Sequence, residues 1–528
     1  MGTFNRSPAA SGDTPRNQHR RISLVAAGSS QFAGQALGIL IAILVSHLIA
    51  RRMGAGPDAD AFLLGRRLVT SLTEALSQVV VVVFIPLIAA RAAAGDSLLR
   101  ILGHSGGAAL ALGTVLAIAF ALAAPAIVGS LAPDFDPATA ALAAQVVVIL
   151  SLSLPATVAA IAFSAYCNVR GRFGAPAAIR QLPRAATAFA LLFGGGILAL
   201  QASAAYTITF FAVAALTLIL ALGLGASPAT GTASGPGSTA IGRRGSAAIL
   251  LTFGALACIW LETAFAAGQG AGGVAMLDFS QRLGALCGNT LAMALGLVAF
   301  ADLSWRAASG EAADLGRRFR HATVAGGALL LPVQLGVFIN AGPVVDVVIA
   351  HGEAGTDAAA RITELVRWMA LAPFGALVTR MMLVRLLAQD DLPIVRLVGG
   401  AMALDFLSRL GLFAVLTPMF GLVGVPVALA VAPAVPVVFL AVVLRGSGVF
   451  AGGGAFRAAR PVLAASALGC GGILAGAAAG PGLAQLLRPL IEEPGKLESL
   501  CQLAASGGLG IVALGAGIKV FGVKLRPR

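Results

Sequence analysis

Apolar residues run in long unbroken stretches from residue 23 almost to the C-terminus, and polar residues are confined to short gaps between them. A bilayer's hydrocarbon core takes about 20 apolar residues of helix, and backbone polar groups in lipid must pair within their own segment. The pattern therefore predicts an all-α polytopic membrane protein. The runs do not alternate in polarity, which argues against an outer-membrane barrel. Hydropathy gives fourteen candidate transmembrane helices, near 23–50, 61–90, 101–128, 138–165, 178–199, 203–225, 246–268, 274–301, 322–349, 360–388, 394–417, 421–444, 457–480 and 500–522. The gaps carry helix breakers, among them "APDFDP", "GQGAGG", "QDDLP" and "GSGVFAGGGAF".

Composition sharpens this picture. Of 528 residues, 58% are hydrophobic and only 11% charged, where soluble domains carry about 25% charged residues. The net charge of +14 reads as topology, because Lys and Arg gather in cytoplasmic loops; no nucleic-acid partner is implied. With the N-terminus inside, twenty-five basic residues fall on cytoplasmic segments and six on outer ones. The even span count then puts both termini in the cytoplasm. Residues 1–22 have no apolar core of a signal peptide and read as a disordered basic cytoplasmic arm. The five cysteines stand singly, so neither a disulfide framework nor a metal site is expected. No P-loop, HExxH or GxSxG occurs, so no enzymatic centre and no cofactor are expected.

The chain also resembles itself. Pro125 and Pro155 reappear as Pro343 and Pro373, displaced by 218 residues, and "GAGPDADAFLLGR" (54–66) parallels "GAGGVAMLDFSQR" (270–282). A displacement of six helices keeps orientation, which predicts a parallel repeat with two pseudo-symmetric lobes around a central pathway. The expected division is 23–225 for the N-lobe, 226–245 for a cytoplasmic linker, and 246–445 for the C-lobe. Residues 446–528 then hold two further helices and a basic tail.

Charges inside spans mark the candidate chemistry. An arginine at mid-bilayer costs about 2.5–3.5 kcal/mol on insertion scales, and such groups usually face the bundle interior or a water-filled cavity. Arg66 and Arg67 lie in helix 2, Arg282 in helix 8, and Arg380 in helix 10. A planar guanidinium suits phosphate oxygens, so these arginines predict a cavity for an anionic, membrane-attached substrate. Other readings stand beside this one. Arg66 or Arg67 reaches the outer interface instead; Asp278 neutralises Arg282 and Asp405 neutralises Arg409 at i−4. Glu262, which looks isolated, Asp405 and Glu74 are the candidates for coupling to Na⁺ or H⁺. His47 reads as an interface residue.

The stretches "RRMGAGPDADAFLLGRRL", "EALSQVVVVVFIPLIA", "LAPDFDPATAALA", "NVRGRFGAPA", "LDFSQRLGAL" and "LLAQDDLPIVRLV" together resemble the MviN/MurJ proteins. These are lipid II flippases of the multidrug/oligosaccharidyl-lipid/polysaccharide exporter superfamily. The resemblance implies two six-helix lobes around a V-shaped cavity, with helices 13 and 14 forming a groove for a lipid tail. It also implies alternating access for a polyprenyl-diphosphate-linked saccharide, with membrane lipids around it. It assigns substrate contacts to Asp60, Arg67, Ser77, Gln78, Arg282 and Arg380, with Gln281 standing where the family has an acid. The chain departs from the family in helix 1, where "GQALGILIAILVSH" holds no arginine. Lipid II or a related lipid-linked precursor is the expected substrate. A cation-coupled exporter of small amphiphiles and a transport-inactive scaffold for cell-envelope synthesis are the alternatives.

Overall fold

The computed structural model describes residues 37–93, 97–169, 172, 174–224, 238–285, 287–292, 295, 312–350, 355–387, 393–445, 455–487 and 494–521. Among these residues every regular element is helical. In the first half, α1 (residues 37–52), α2 (Pro57–Ala93), α3 (Leu98–Leu131), α4 (Pro137–Ser151), α5 (Leu154–Val169), α6 (Gly174–Ile179), α7 (Leu182–Phe193) and α8 (Leu198–Gly223) follow in order. The second half has α9 (Ser238–Ala267), α10 (Gly273–Ser280), a π-helical turn (Gln281–Ala285) and α11 (residues 287–292). It continues with α12 (Ala312–Ile339), α13 (Ala341–Val348), α14 (Gly355–Met369), α15 (Ala372–Leu387), α16 (Ile394–Phe420), α17 (Gly424–Val431) and α18 (Ala434–Arg445). The last two are α19 (Ala455–Leu487) and α20 (Pro494–Val520).

Nine helical stretches among the described residues are long and apolar enough to cross a bilayer. They fall on ten of the expected spans, since Ile394–Arg445 covers two, parted at Gly421. The expected span 178–199 is a short α6 followed by α7, which is 12 residues long and so about 18 Å. The N-terminal arm and most of the linker lie outside the described residues. Polarity runs opposite to that of a soluble protein. Large apolar side chains such as Leu122, Ile208, Ile219, Ile511 and Val512 are exposed, while Asp60, Arg66, Arg67, Glu262 and Asp278 are buried. This is a multi-pass membrane protein.

The internal repeat has a physical counterpart. In the first half, 15-residue α4 breaks over two residues before 16-residue α5, which carries Pro155 at its second position. In the second half, 15-residue α14 breaks over two residues before 16-residue α15, with Pro373 at its second position. Proline fits the first turn of a helix, where its missing N–H has no partner to lose, but it cannot continue one. At the N-terminus of α4, the carboxylate of Asp136 accepts from the N–H groups of Ala138 and Thr139. The Thr139 hydroxyl and these amides hold that carboxyl below the usual carboxylate range.

Helices α19 and α20 pack against each other along their length and against α12. Gly472, Gly476 and Gly480 form a small-residue stripe at i, i+4, i+8, the spacing that lets membrane helices approach closely. A Cβ on Gly476 would sit 2.4 Å from the Ala505 carbonyl oxygen.

Candidate functional site

Between the two halves lies a cavity of about 550 Å³. Residues of α1, α2, α5, α7 and α8 line it from one half, and residues of α9, α10, α14, α15, α16 and α17 from the other. On α2 the lining runs from Arg66 to Ser77, about 16 Å along the helix axis. Six arginines (Arg66, Arg67, Arg180, Arg184, Arg282 and Arg409) face it, against three carboxylates (Glu74, Glu262 and Asp278).

Four of the arginines pair with carboxylates in two clusters, each of which joins the two halves. Arg66 donates to Asp278 at 3.2 Å and lies over the Phe62 ring. Arg282, one turn along from Asp278, donates to the same carboxylate at 2.6 Å. The two arginines matched by the sequence repeat thus share one acid. Arg67 donates to Glu262 at 2.9 Å and to the Gln281 side-chain oxygen at 2.6 Å. Gln281 in turn donates to Glu262 at 3.0 Å, and Arg409 bridges Glu262 and Asp405. The π-helical turn at Gln281–Ala285 follows directly on α10, which carries Asp278 and ends at Ser280. Such turns are rare and concentrate at functional sites. Here it carries Gln281 and Arg282 into these clusters.

A second set of contacts joins α1 and α2 to the second half of the chain. Asp60 is 1% exposed; its carboxylate accepts from the backbone N–H groups of Gly272 and Ala275, at the start of α10. A carboxylate at a helix N-terminus satisfies donors that have no partner within the helix. Gly272 makes this approach possible. Its φ is +88°, and a Cβ there would come within 2.2 Å of the Ala55 carbonyl oxygen. His47 Nδ1 lies 2.7 Å from the Val348 carbonyl oxygen, and the Trp260 indole donates to the Ser71 hydroxyl.

Several expectations need correcting on this geometry. Arg380 is exposed on α15 and is not part of the cavity lining. Asp60 stands apart from the cavity and is engaged by backbone amides. Neither Arg66 nor Arg67 reaches an outer interface, since they are 7% and 8% exposed. Glu262 is not isolated, for three side chains donate to it. Asp278 does bind Arg282, and the Asp405–Arg409 pair exists but is not private. Asp405 also lies 3.6 Å from the Cys258 thiol. Ser77 and Glu74 line the cavity, whereas the Gln78 side chain lies outside the described residues.

The chain matches the family model "Lipid II flippase MurJ" over residues 49–479. The chain belongs to the lipid II flippase MurJ family. Among solved structures, one described as lipid II flippase MurJ in an inward closed conformation superposes with a TM-score of 0.69 at 13% identity, covering 93% of this chain and 98% of that one. An inward-facing multidrug resistance transporter of the MATE family follows at 0.64 and 15%, covering 79% and 96%. A MOP-superfamily transporter from Pyrococcus furiosus superposes at 0.57 and 14%, covering 81% and 95%. A search among curated proteins returns no match.

Set in this family, the residues that sequence reading missed are the ones outside its motifs. Arg180 and Arg184 are among the twenty-five basic residues that the charge count places on cytoplasmic segments, yet they line the cavity. The α6–α7 turn, between Ile179 and Leu182, folds them back toward α2. Arg409 was read as half of a structural pair, and Gln281 as a lost acid. Tyr206 and Trp260 gave no signal beyond being aromatic residues in apolar helices. A charge count reports which side of the membrane a residue lies near, and not whether it points into a vestibule.

Proposed function

We propose that the chain is a flippase that moves a polyprenyl-diphosphate-linked saccharide, lipid II or a related precursor, across a bacterial inner membrane by alternating access. The observation that carries this reading is the cavity between the two halves, where arginines outnumber carboxylates two to one. Guanidinium forks bind phosphate oxygens bidentately, and an excess of them in a lipid-flanked cavity suits a diphosphate. Arg67 and Arg282 are the proposed contacts from the two halves, with Arg66 and Ser77 beside them. The prenyl chain stays in lipid while residues 23–225 and 246–445 rock as two lobes. Both termini lie on the cytoplasmic side.

The contacts at Asp60 and His47 favour a resting state closed to the outside. Opening outward then requires the Arg66–Asp278 and Arg67–Glu262 pairs to part. A diphosphate entering the cavity compensates the guanidiniums that lose their carboxylates. Coupling to Na⁺ or H⁺ through Glu262 or Asp405 is disfavoured in this state, because arginine donors already occupy both acids.

Rescue of a bacterial strain depleted of its own lipid II flippase tests the proposal. Wild-type chain should restore growth, and Arg282→Ala should not, at equal membrane level. Rescue indifferent to every cavity arginine would sink the transport reading and favour a scaffold role.

A further inference from the structure

The six arginines of the cavity are not equivalent. Arg66, Arg67, Arg282 and Arg409 each hold a carboxylate within 3.2 Å. Arg180 and Arg184 differ. Among the described residues, neither forms an ion pair within 4.0 Å, and Arg184 donates only to the Gln181 side chain, at 2.7 Å. Both are exposed to the cavity. Glu74, on the facing helix α2, is the carboxylate that feels both charges, but it stands beyond contact range.

The surroundings fit an anion at this place. Tyr206 and Thr187 bring hydroxyl groups to the same wall. On the opposite side α1 presses close: a Cβ on Gly38 would sit 3.0 Å from the Arg184 guanidinium and 2.6 Å from the Gln181 oxygen. Farther along, α1 offers only Ala42 and Val45 to the cavity. These positions of α1 bring no charge to the cavity beside the two guanidiniums.

Energetics separates the two tiers. A buried ion pair is costly to part, so a diphosphate arriving at Arg66 or Arg282 must first compete with Asp278. Arg180 and Arg184 hold no carboxylate among the described residues, and a diphosphate arriving there competes only with the Gln181 side chain to which Arg184 donates. We propose that Arg180 and Arg184 form the phosphate-accepting subsite that first captures the substrate's diphosphate and sets specificity for it. The four carboxylate-held arginines then act as a latch, which opens when the captured diphosphate is passed to them. This rests on the flippase reading, and it moves the selecting contact from the interlobe network to the α6–α7 turn.

The test uses full-length protein in detergent with farnesyl diphosphate as the probe, read by calorimetry. Arg180→Gln/Arg184→Gln should weaken binding at least about tenfold, and Arg180→Lys/Arg184→Lys should recover part of that loss, since two cations remain without the forks. Arg172→Gln removes a charge from the exposed loop before α6, outside the cavity lining, and should leave binding unchanged. An unchanged melting temperature in the double glutamine variant excludes misfolding as the cause. Unaltered affinity in that variant, with wild-type binding intact, overturns the subsite but leaves the flippase reading standing. No binding of farnesyl diphosphate to the wild-type protein overturns both.

Discussion

At the scale of single residues, Asp278 is the keystone of the charge network, because two arginines from different halves depend on it. Its removal leaves Arg66, whose side chain is 9% exposed, buried without a carboxylate. Such a loss costs about 3 kcal/mol or more; Arg282, 22% exposed, reaches cavity water and suffers less. Asp278→Ala should therefore melt well below the wild type in detergent, and adding Arg66→Met should recover much of the loss. A single variant as stable as the wild type would show that water, not Asp278, balances these charges. Sequence reading found most of this network's members, because an ionisable residue inside an apolar run stands out. It found the partners one helical turn away, Asp278 for Arg282 and Asp405 for Arg409, but not those across the two halves. Arg66 and Asp278 are 212 positions apart, and no helical periodicity links them. Arg380 passed the same filter as Arg282 and failed on orientation, which depends on how α15 is rotated against its neighbours.

At the scale of elements, helix extents were the most legible feature, since each follows from a local count of apolar residues. The proline spacing also carried real information: Pro155 and Pro373 start matching helices after matching breaks. Short elements were hidden. The α6–α7 turn reads as one continuous span in hydropathy, and the π-helical turn leaves no trace in composition. The α19–α20 pair illustrates a local pattern with a direct energetic meaning. Gly476→Val places a side chain against the backbone of Ala505 and Ser506, both 2.4 Å from its Cβ, and backbone cannot step aside as a flexible side chain does. Overpacking of this kind costs about 1–3 kcal/mol. The variant should show a lower melting temperature, while Gly482→Ala on the same helix, where a Cβ meets open space, should not.

At the scale of the whole molecule, one end of the seam between the halves is held by contacts that join distant parts of the chain. His47 on α1 and Val348 at the end of α13 meet there. Cysteines at these two positions, in a background freed of the five native ones, should be joined by a short bismaleimide. Joined protein should no longer rescue a flippase-depleted strain, while each single variant treated alike should still do so. Full activity after complete cross-linking would mean that this end never parts. The overall architecture was open to sequence reading because duplication leaves paired landmarks. The conformation was not, because closing one end uses the same residues that opening it releases.

The paired breaks between α4 and α5 and between α14 and α15 bear on how such a molecule deforms. Each sits beside the vestibule, with Thr157 and Ala160 on one wall and Met369 and Ala372 on the other. A rod interrupted by a proline-marked joint flexes there more readily than it slides. Each half thus owns a knee at a corresponding height, and the walls of the chamber can give way to a bulky guest while the rim above them keeps its grip.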